Sequence, residues 1–416
     1  MKSKKKIIFN VIIPTKNRCK TLRYTLKTLT NQNYKNLRIV ILDNNSKDNT
    51  KSLIKHFKDK RIKYFNSKKN LSMSQNWERC FKYIKTGYTT ILGDDDGFMP
   101  NTFNKLNKIL SNENINILKW VQHDYFWKNF KDKSNFANIK FSNNKKEIEI
   151  IESTKILRQI LDMNLSYTES PMIYNSFIKT KILKKIKKDK KIFFLSGIPD
   201  VYSGLLFLLK FQYFYKLNSA ITINGISSFS GGALISKKNK RRSDIVKNHK
   251  LARIRLVPPI PSYYLSILDP FLALTKEYRK ITSKYLINYF LLKSRVISEI
   301  KNEHKADYKI YLKDLTSFIN DLKKNYSTFT KIIIFLRLFS PQKYYTENTI
   351  SIKVPNNIDN IFLASQYLEK KNTYYLSNKN NFIKNVPISN KILNFLKQYR
   401  LYNIFYTIKN FKKIFN

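Results

Sequence analysis

Over the first hundred residues, short apolar runs alternate with stretches whose apolar positions recur at three- and four-residue steps. Residues 7–14 are almost continuously apolar, the pattern of a parallel strand buried on both faces. Residues 19–31 carry Leu22, Leu26 and Leu29 at helical spacing. Strands are predicted again over 37–42 and 61–65, and between them Asp48-Asn49 opens a helix with Leu53, Ile54 and Phe57 inside. Ser72 or Ser74 then caps a helix running to about residue 85, and the apolar run 88–92 is a fourth strand. Such alternation predicts a parallel sheet built by right-handed crossovers. Ligands bind these sheets beyond the carboxyl ends of the strands. Here that rim collects Pro14, Thr15, Asp43, Asn44 and residues 94–96.

The fourth strand runs into Gly93-Asp94-Asp95-Asp96-Gly97. Three adjacent carboxylates repel one another, and a divalent cation removes that cost because Mg²⁺ and Mn²⁺ prefer hard oxygen ligands. An acidic surface turn is the plainer reading. It is weakened by a chain with only 28 Asp and Glu against 79 Lys and Arg. The net charge of +51 asks for an anionic partner. Lys dominates the basic residues and Asn and Ile are abundant, as codon drift in an AT-rich genome would produce, so part of the charge is passive.

Length allows two to three domains with a large core. Two cysteines, Cys19 and Cys80, permit no disulfide framework or zinc spacing and suit a reducing compartment. Residues 1–9 mimic the start of a signal peptide, but Asn10 interrupts the apolar run and no cleavage site follows. No stretch is long and apolar enough to span a bilayer. The expectation is a cytoplasmic protein whose membrane contact is peripheral.

Further on, a strand is predicted over 115–122, with Trp120, Tyr125, Phe126 and Trp127 packing mainly against the sheet, and residues 128–147 read as a loop. Pro199-Asp200 leads into an apolar helix, where an Asp is ordinarily a cap. A strand follows over 222–226, then the basic loop 237–242, most simply a solvated charge run. Residues 257–261, Val-Pro-Pro-Ile-Pro, mark a boundary. Beyond it, stripes over 285–300, 308–322 and 330–339 predict helices. Residues 370–416 contain no Asp or Glu and repeat aromatic and aliphatic positions among Lys and Arg, from Ile392 to Phe415. A basic amphipathic tail of this kind binds an anionic membrane surface, or docks on its own domain. No internal repeat is present.

Four motifs carry a resemblance: Val11-Ile12-Ile13-Pro14-Thr15-Lys16-Asn17-Arg18, Asp43-Asn44-Asn45-Ser46-Lys47-Asp48-Asn49-Thr50, Asn70-Leu71-Ser72-Met73-Ser74-Gln75-Asn76-Trp77 and Gly93-Asp94-Asp95-Asp96. In this order and spacing they resemble glycosyltransferase family 2, over about residues 7–110 and less closely to about 235. The resemblance implies an α/β glycosyltransferase A domain over 1–235; the residue pattern itself gives a basic loop and linker over 236–262 and a mostly helical region over 263–416. It implies an inverting transfer from a nucleoside-diphosphate sugar to a hydroxyl of a glycan or lipid-linked glycan, as in bacterial surface polysaccharide or lipooligosaccharide synthesis. On that reading Pro14, Thr15, Asn17, Arg18, Asp43, Asn70, Asn76, Asp94 and Asp95 line the donor. Asp96 and Asp94 bind Mn²⁺ or Mg²⁺ as the Asp-x-Asp motif, and Asp200 is the general base. His249 is a further metal candidate, read more simply as an exposed loop residue. A basic nucleic-acid-binding protein, or an inactive scaffold, is the alternative. The first leaves the acidic triplet unexplained and no nucleic acid partner is expected; the second sits poorly with intact Asp94, Asp96 and Asp200.

Overall fold

The computed structural model describes residues 6–112, 114–130, 136–142, 146–228, 256–260, 262–304, 307–337 and 348–377. The chain begins β1 (Phe9–Thr15), α1 (Cys19–Thr30), β2 (Leu37–Asp43), α2 (Thr50–His56), β3 (Ile62–Asn66) and α3 (Met73–Glu78). It continues β4 (Tyr88–Ile91), β5 (Gly97–Phe98), α4 (Thr102–Asn112), β6 (Ile117–Phe126), β7 (Phe136–Phe141), β8 (Ile148–Glu152) and α5 (Ser153–Leu161). Then come β9 (Ser176–Lys179), α6 (Thr180–Lys188), α7 (Pro199–Lys210) and β10 (Tyr213–Ile226). The C-terminal part holds α8 (Tyr263–Glu277), α9 (Arg279–Thr282), α10 (Tyr289–Glu303), α11 (Tyr308–Lys324), α12 (Thr328–Leu336), β11 (Asn348–Lys353) and α13 (Ile361–Ser377).

One mixed sheet runs β11-β7-β6-β9-β4-β1-β2-β3, with β10 pairing β5, β6 and β8. β4, β1, β2 and β3 are parallel, as the strand–helix alternation predicts. Val11 and Ile13 face one core with Ile39 and Ile41, while Ile12 faces the other with Val40, Leu42 and Ile91. That is why these strands read as continuous apolar runs rather than alternating ones. α1 buries Leu22, Leu26 and Leu29 on the first face, and α7 is buried almost all round on the second. Each such side chain removed from water contributes roughly 1.5–3 kcal/mol.

The helix after Ser72 is shorter than its pattern suggests. A capping box between Ser72 and Gln75 starts it, and after Glu78 it tightens into a 3-10 turn over Arg79–Lys82. Residues 128–147, expected as a loop, contain β7. The predicted strand 222–226 is the end of the 14-residue β10. Residues 348–377 return to the first domain: β11 pairs antiparallel with β7, and Ile361, Ala364 and Leu368 of α13 pack with Tyr125, Ala137 and Ile223. Part of the region beyond residue 263 is thus an edge of the N-terminal sheet. No helix among the described residues is long and apolar enough to cross a membrane.

Candidate functional site

Parallel pairing brings the strand ends level: Thr15 of β1 lies opposite Asp43 of β2, and the Leu92 amide past β4 donates to the Ile12 carbonyl at 2.8 Å. The turn that follows places Asp94, Asp95 and Asp96 on this rim, all three buried. Asp94 Oδ2 accepts from the Thr15 hydroxyl at 2.7 Å. One guanidinium nitrogen of Arg18 lies 3.0 Å from Asp94 Oδ1 and 3.4 Å from Asp95 Oδ2. The Ser227 hydroxyl donates to the same Asp95 oxygen at 2.7 Å.

Asp96 points elsewhere. Its Oδ2 accepts the Gly93 amide at 3.0 Å and the Tyr174 hydroxyl, and its Oδ1 accepts the Gly225 amide at 2.7 Å. Its carbonyl takes the Thr25 hydroxyl at 2.7 Å, and the Asp95 carbonyl takes Trp127 Nε1 at 3.1 Å. The acidic turn is therefore pinned from α1, the residue after β6, β10 and the segment before β9. At Gly225 a Cβ would lie 1.8 Å from the Asp95 carbonyl oxygen, so only glycine lets β10 pass this close. Burial raises both the Asp95 and the Asp96 carboxyls above the ordinary carboxylate range. The charge of Asp96 adds to the shift of Asp95, while hydrogen bonds from Tyr174, Gly225 and Gly93 oppose that of Asp96.

The remaining donor-side residues divide. Asn17 and Asn45 both sit at left-handed backbone angles, φ 55° and 58°, which Asn tolerates better than most residues. The Asn17 amide donates to Ser46 Oγ at 2.8 Å and its side-chain oxygen accepts the Lys47 amide at 2.7 Å, tying the loops after β1 and β2 together. Asp43 is buried, accepting the Ser46 amide at 2.9 Å and the Tyr64 hydroxyl at 2.6 Å. Asn76 is also buried and internal, donating to the Leu42 carbonyl at 2.9 Å and accepting from Arg79 at 2.7 Å. Asn70 is exposed, and Pro14, within β1 and opposite Leu42, is half-buried.

Asp200 is the second residue of α7, after Pro199 at the first position. Burial raises its carboxyl, against hydrogen bonding from backbone amides at the helix start. Tyr174, whose hydroxyl bonds Asp96 of the acidic turn, feels the charge of Asp200. The Tyr174 phenol is raised well above its ordinary value, by burial first, then by the charges of Asp96, Asp95 and Asp200. Asp96 bonds that phenol, and Asp200, 104 positions further on, acts on it through its charge. Tyr174, Gly225 and Ser227 carry no local sequence signal for this role, because their partners are distant along the chain. His249 and the basic loop 237–242 lie outside the described residues.

The oxygens of the turn suit a divalent cation in kind. Among the described residues no three ligating side chains are gathered as a metal cage. Asp94 and Asp95 are the pair already arranged to share one positive charge, whereas the Asp96 oxygens are engaged by N–H and O–H donors.

Residues 10–177 match the model of the family described as Glycosyl transferase family 2. A GalNAc(5)-diNAcBac-PP-undecaprenol beta-1,3-glucosyltransferase of Campylobacter jejuni is 34% identical over 100 residues, 23% of this chain and 32% of its own. An uncharacterized glycosyltransferase of Methanocaldococcus jannaschii is 27% identical over 192 residues, 45% of this chain and 61% of its own. The chain thus spans between a third and three-fifths of the length of these curated relatives. Among solved structures, S. aureus TarS 1-349 in complex with UDP-GlcNAc aligns with a TM-score of 0.49 at 14% identity, covering 80% of this chain and 85% of that one. The family match and the mixed sheet agree with the α/β glycosyltransferase A fold and helical extension expected from the sequence.

Proposed function

We propose that the chain, whose residues 10–177 match the family 2 glycosyltransferase model, moves a sugar from a nucleoside-diphosphate sugar to a hydroxyl of a glycan, with inversion. The observation that carries this reading is the buried acidic turn at the ends of the parallel strands, held by Thr15, Arg18, Tyr174 and Gly225. On this reading the nucleotide lies over Pro14, Thr15, Asn17, Arg18 and Asp43, with Asn70 at the open edge. Asn76 supports the floor from inside.

Asp94 and Asp95 would hold Mn²⁺ or Mg²⁺. Asp96, assigned to the metal by motif position, would instead fix the shape of the turn. When bound, the ion supplies Lewis-acid stabilisation of the departing diphosphate. Arg18 brings a permanent positive charge to the same two carboxylates. Asp200 takes the proton from the acceptor hydroxyl, and a carboxyl raised by burial is a better base for that purpose than an exposed one. Tyr174 holds the turn through its hydrogen bond to Asp96.

The acceptor class is a glycan or lipid-linked glycan of bacterial surface polysaccharide or lipooligosaccharide synthesis. The name of the Campylobacter relative, which acts on a diphospho-undecaprenol glycan, supports this. The protein would work in the cytoplasm, peripherally on the inner membrane face, with the basic tail beyond residue 377, outside the described residues, as one contact. Thermal-shift screening of the full chain against nucleoside diphosphates, with and without Mn²⁺, tests the reading. A nucleotide that binds the native state raises the melting temperature by mass action. No shift with any nucleoside diphosphate would overturn it.

A further inference from the structure

Helix α12 turns Ile334 into the core and is held at its end by Arg337. That guanidinium reaches Asp162 at 2.5 Å and the Leu286 carbonyl at 3.3 Å. Four further apolar side chains face outward: Phe329 is 72% exposed, Ile332 42%, Ile333 36% and Leu336 58%. Their spacing of three, four and seven residues places them on one stripe. Single exposed apolar residues are ordinary, but a stripe on one nine-residue helix points to an occupant.

Charge narrows the choice of occupant. Residues 322–346 contain no Asp or Glu, yet they hold Lys323, Lys324, Lys331, Arg337 and Lys343. Beside the end of α12, Arg158, Lys284, Arg337 and Tyr285 line a cavity of about 250 Å³. Asp162 pairs with Arg337 and Glu152 with Lys155, so the excess charge around the cavity is positive. The cavity is large enough for a phosphate group. Four side chains on one nine-residue helix fall far short of the roughly 20–30 residues a side that a stable protein interface uses. A narrow apolar stripe in a cationic, acid-free segment instead suits a lipid interface, which needs no shape complement.

We propose that α12 lies in the interface of an anionic membrane. Phe329, Ile332, Ile333 and Leu336 enter the acyl boundary, and the cavity between Arg158, Lys284 and Arg337 receives a lipid phosphate. The inference rests on the peripheral-membrane part of the function proposed above, not on its chemistry. It gives that part a site distinct from the C-terminal tail.

The test is sedimentation of the full chain with vesicles of phosphatidylglycerol mixed with phosphatidylcholine, against vesicles of phosphatidylcholine alone. The triple variant Phe329→Ser, Ile332→Ser, Leu336→Ser changes exposed positions only, and its melting temperature should match the wild type. Its partition onto mixed vesicles should fall at least about tenfold. The double variant Arg158→Glu, Lys284→Glu should lose about as much on mixed vesicles and little on neutral ones. If the wild type binds and the triple variant binds equally, the inference is wrong and the contact lies elsewhere on the chain. Wild type that binds neither vesicle overturns the peripheral-membrane reading itself. If the triple variant changes only the oligomeric state, a second copy covers the stripe and the inference fails.

Discussion

One guanidinium nitrogen of Arg18 contacts both Asp94, at 3.0 Å, and Asp95, at 3.4 Å. Arg18 lies just before α1 and the carboxylates just after β4, so this contact closes the rim across 76 residues of chain. Removing the arginine leaves two buried carboxylates without that cation. Arg18→Met is expected to cost about 1–3 kcal/mol in metal-free buffer, the usual penalty for leaving a buried partner uncompensated. Millimolar Mn²⁺ should then raise the melting temperature of the variant more than that of the wild type. Equal shifts in the two proteins would show that Arg18 and the metal do not share a site.

The two neighbouring carboxylates should respond oppositely to neutralisation. Burial and the charge of Asp96 raise the Asp95 carboxyl, so ionised Asp95 weighs against the fold. Asp95→Asn should unfold at or above the wild-type midpoint while losing metal-assisted nucleotide binding. Asp96 accepts the Gly93 and Gly225 amides on opposite oxygens, and an asparagine must turn its NH₂ towards one of those donors. Asp96→Asn should therefore lose about 1–3 kcal/mol of stability. Urea titrations of both variants check this, and the reverse order of stability would return Asp96 to the role of metal ligand.

His123 gives a pH dependence. It is fully buried in β6, its Nδ1 accepts the Lys140 amide at 3.1 Å, and burial lowers its pKa to about 4. The unfolded chain takes up the proton near 6.5, and the folded one only near 4. Stability from neutral His123 is therefore present above about pH 6.5 and lost progressively as pH falls towards 4. The full loss is on the order of 3 kcal/mol. Comparing the unfolding free energy of wild type and His123→Gln at pH 7 and pH 4.5 isolates this group, since other titrations cancel. The wild-type advantage should shrink at the lower pH; an unchanged difference would mean that His123 is not held neutral.

The parallel half of the sheet was readable because β1 and β2 are buried on both faces and their ends carry polar motifs. Thr15, Asp43 and the acidic turn could be placed on one rim by that reading alone. What escaped it depends on distant contacts. Tyr174 reaches Asp96 across 78 residues and Gly225 reaches it across 129, and neither has a local pattern to mark it. Asn76 looked like a donor residue by motif, yet it spends its amide on the Leu42 carbonyl and its oxygen on Arg79. β11 escaped for another reason: Ile350-Ser351-Ile352-Lys353-Val354 alternates at strand period, but the stretch is short and its one neighbour, β7, is about 210 residues away.

Asp200 and Tyr174 supply the sharpest test of the proposed chemistry. Asp200 belongs to α7 and Asp96 to the turn after β4, and the Tyr174 phenol is raised by both charges. If Asp200 takes the acceptor proton, Asp200→Asn should bind the donor nucleotide within about twofold of wild type and transfer roughly 10²–10⁴-fold more slowly. Tyr174→Phe removes only the hydroxyl that bonds Asp96, so it should lower transfer less than Asp200→Asn does, acting through the shape of the acidic turn. Calorimetry separates donor binding from turnover. A large fall in donor affinity for Asp200→Asn would make that residue part of the donor site, and the proton acceptor would have to be sought elsewhere on the rim.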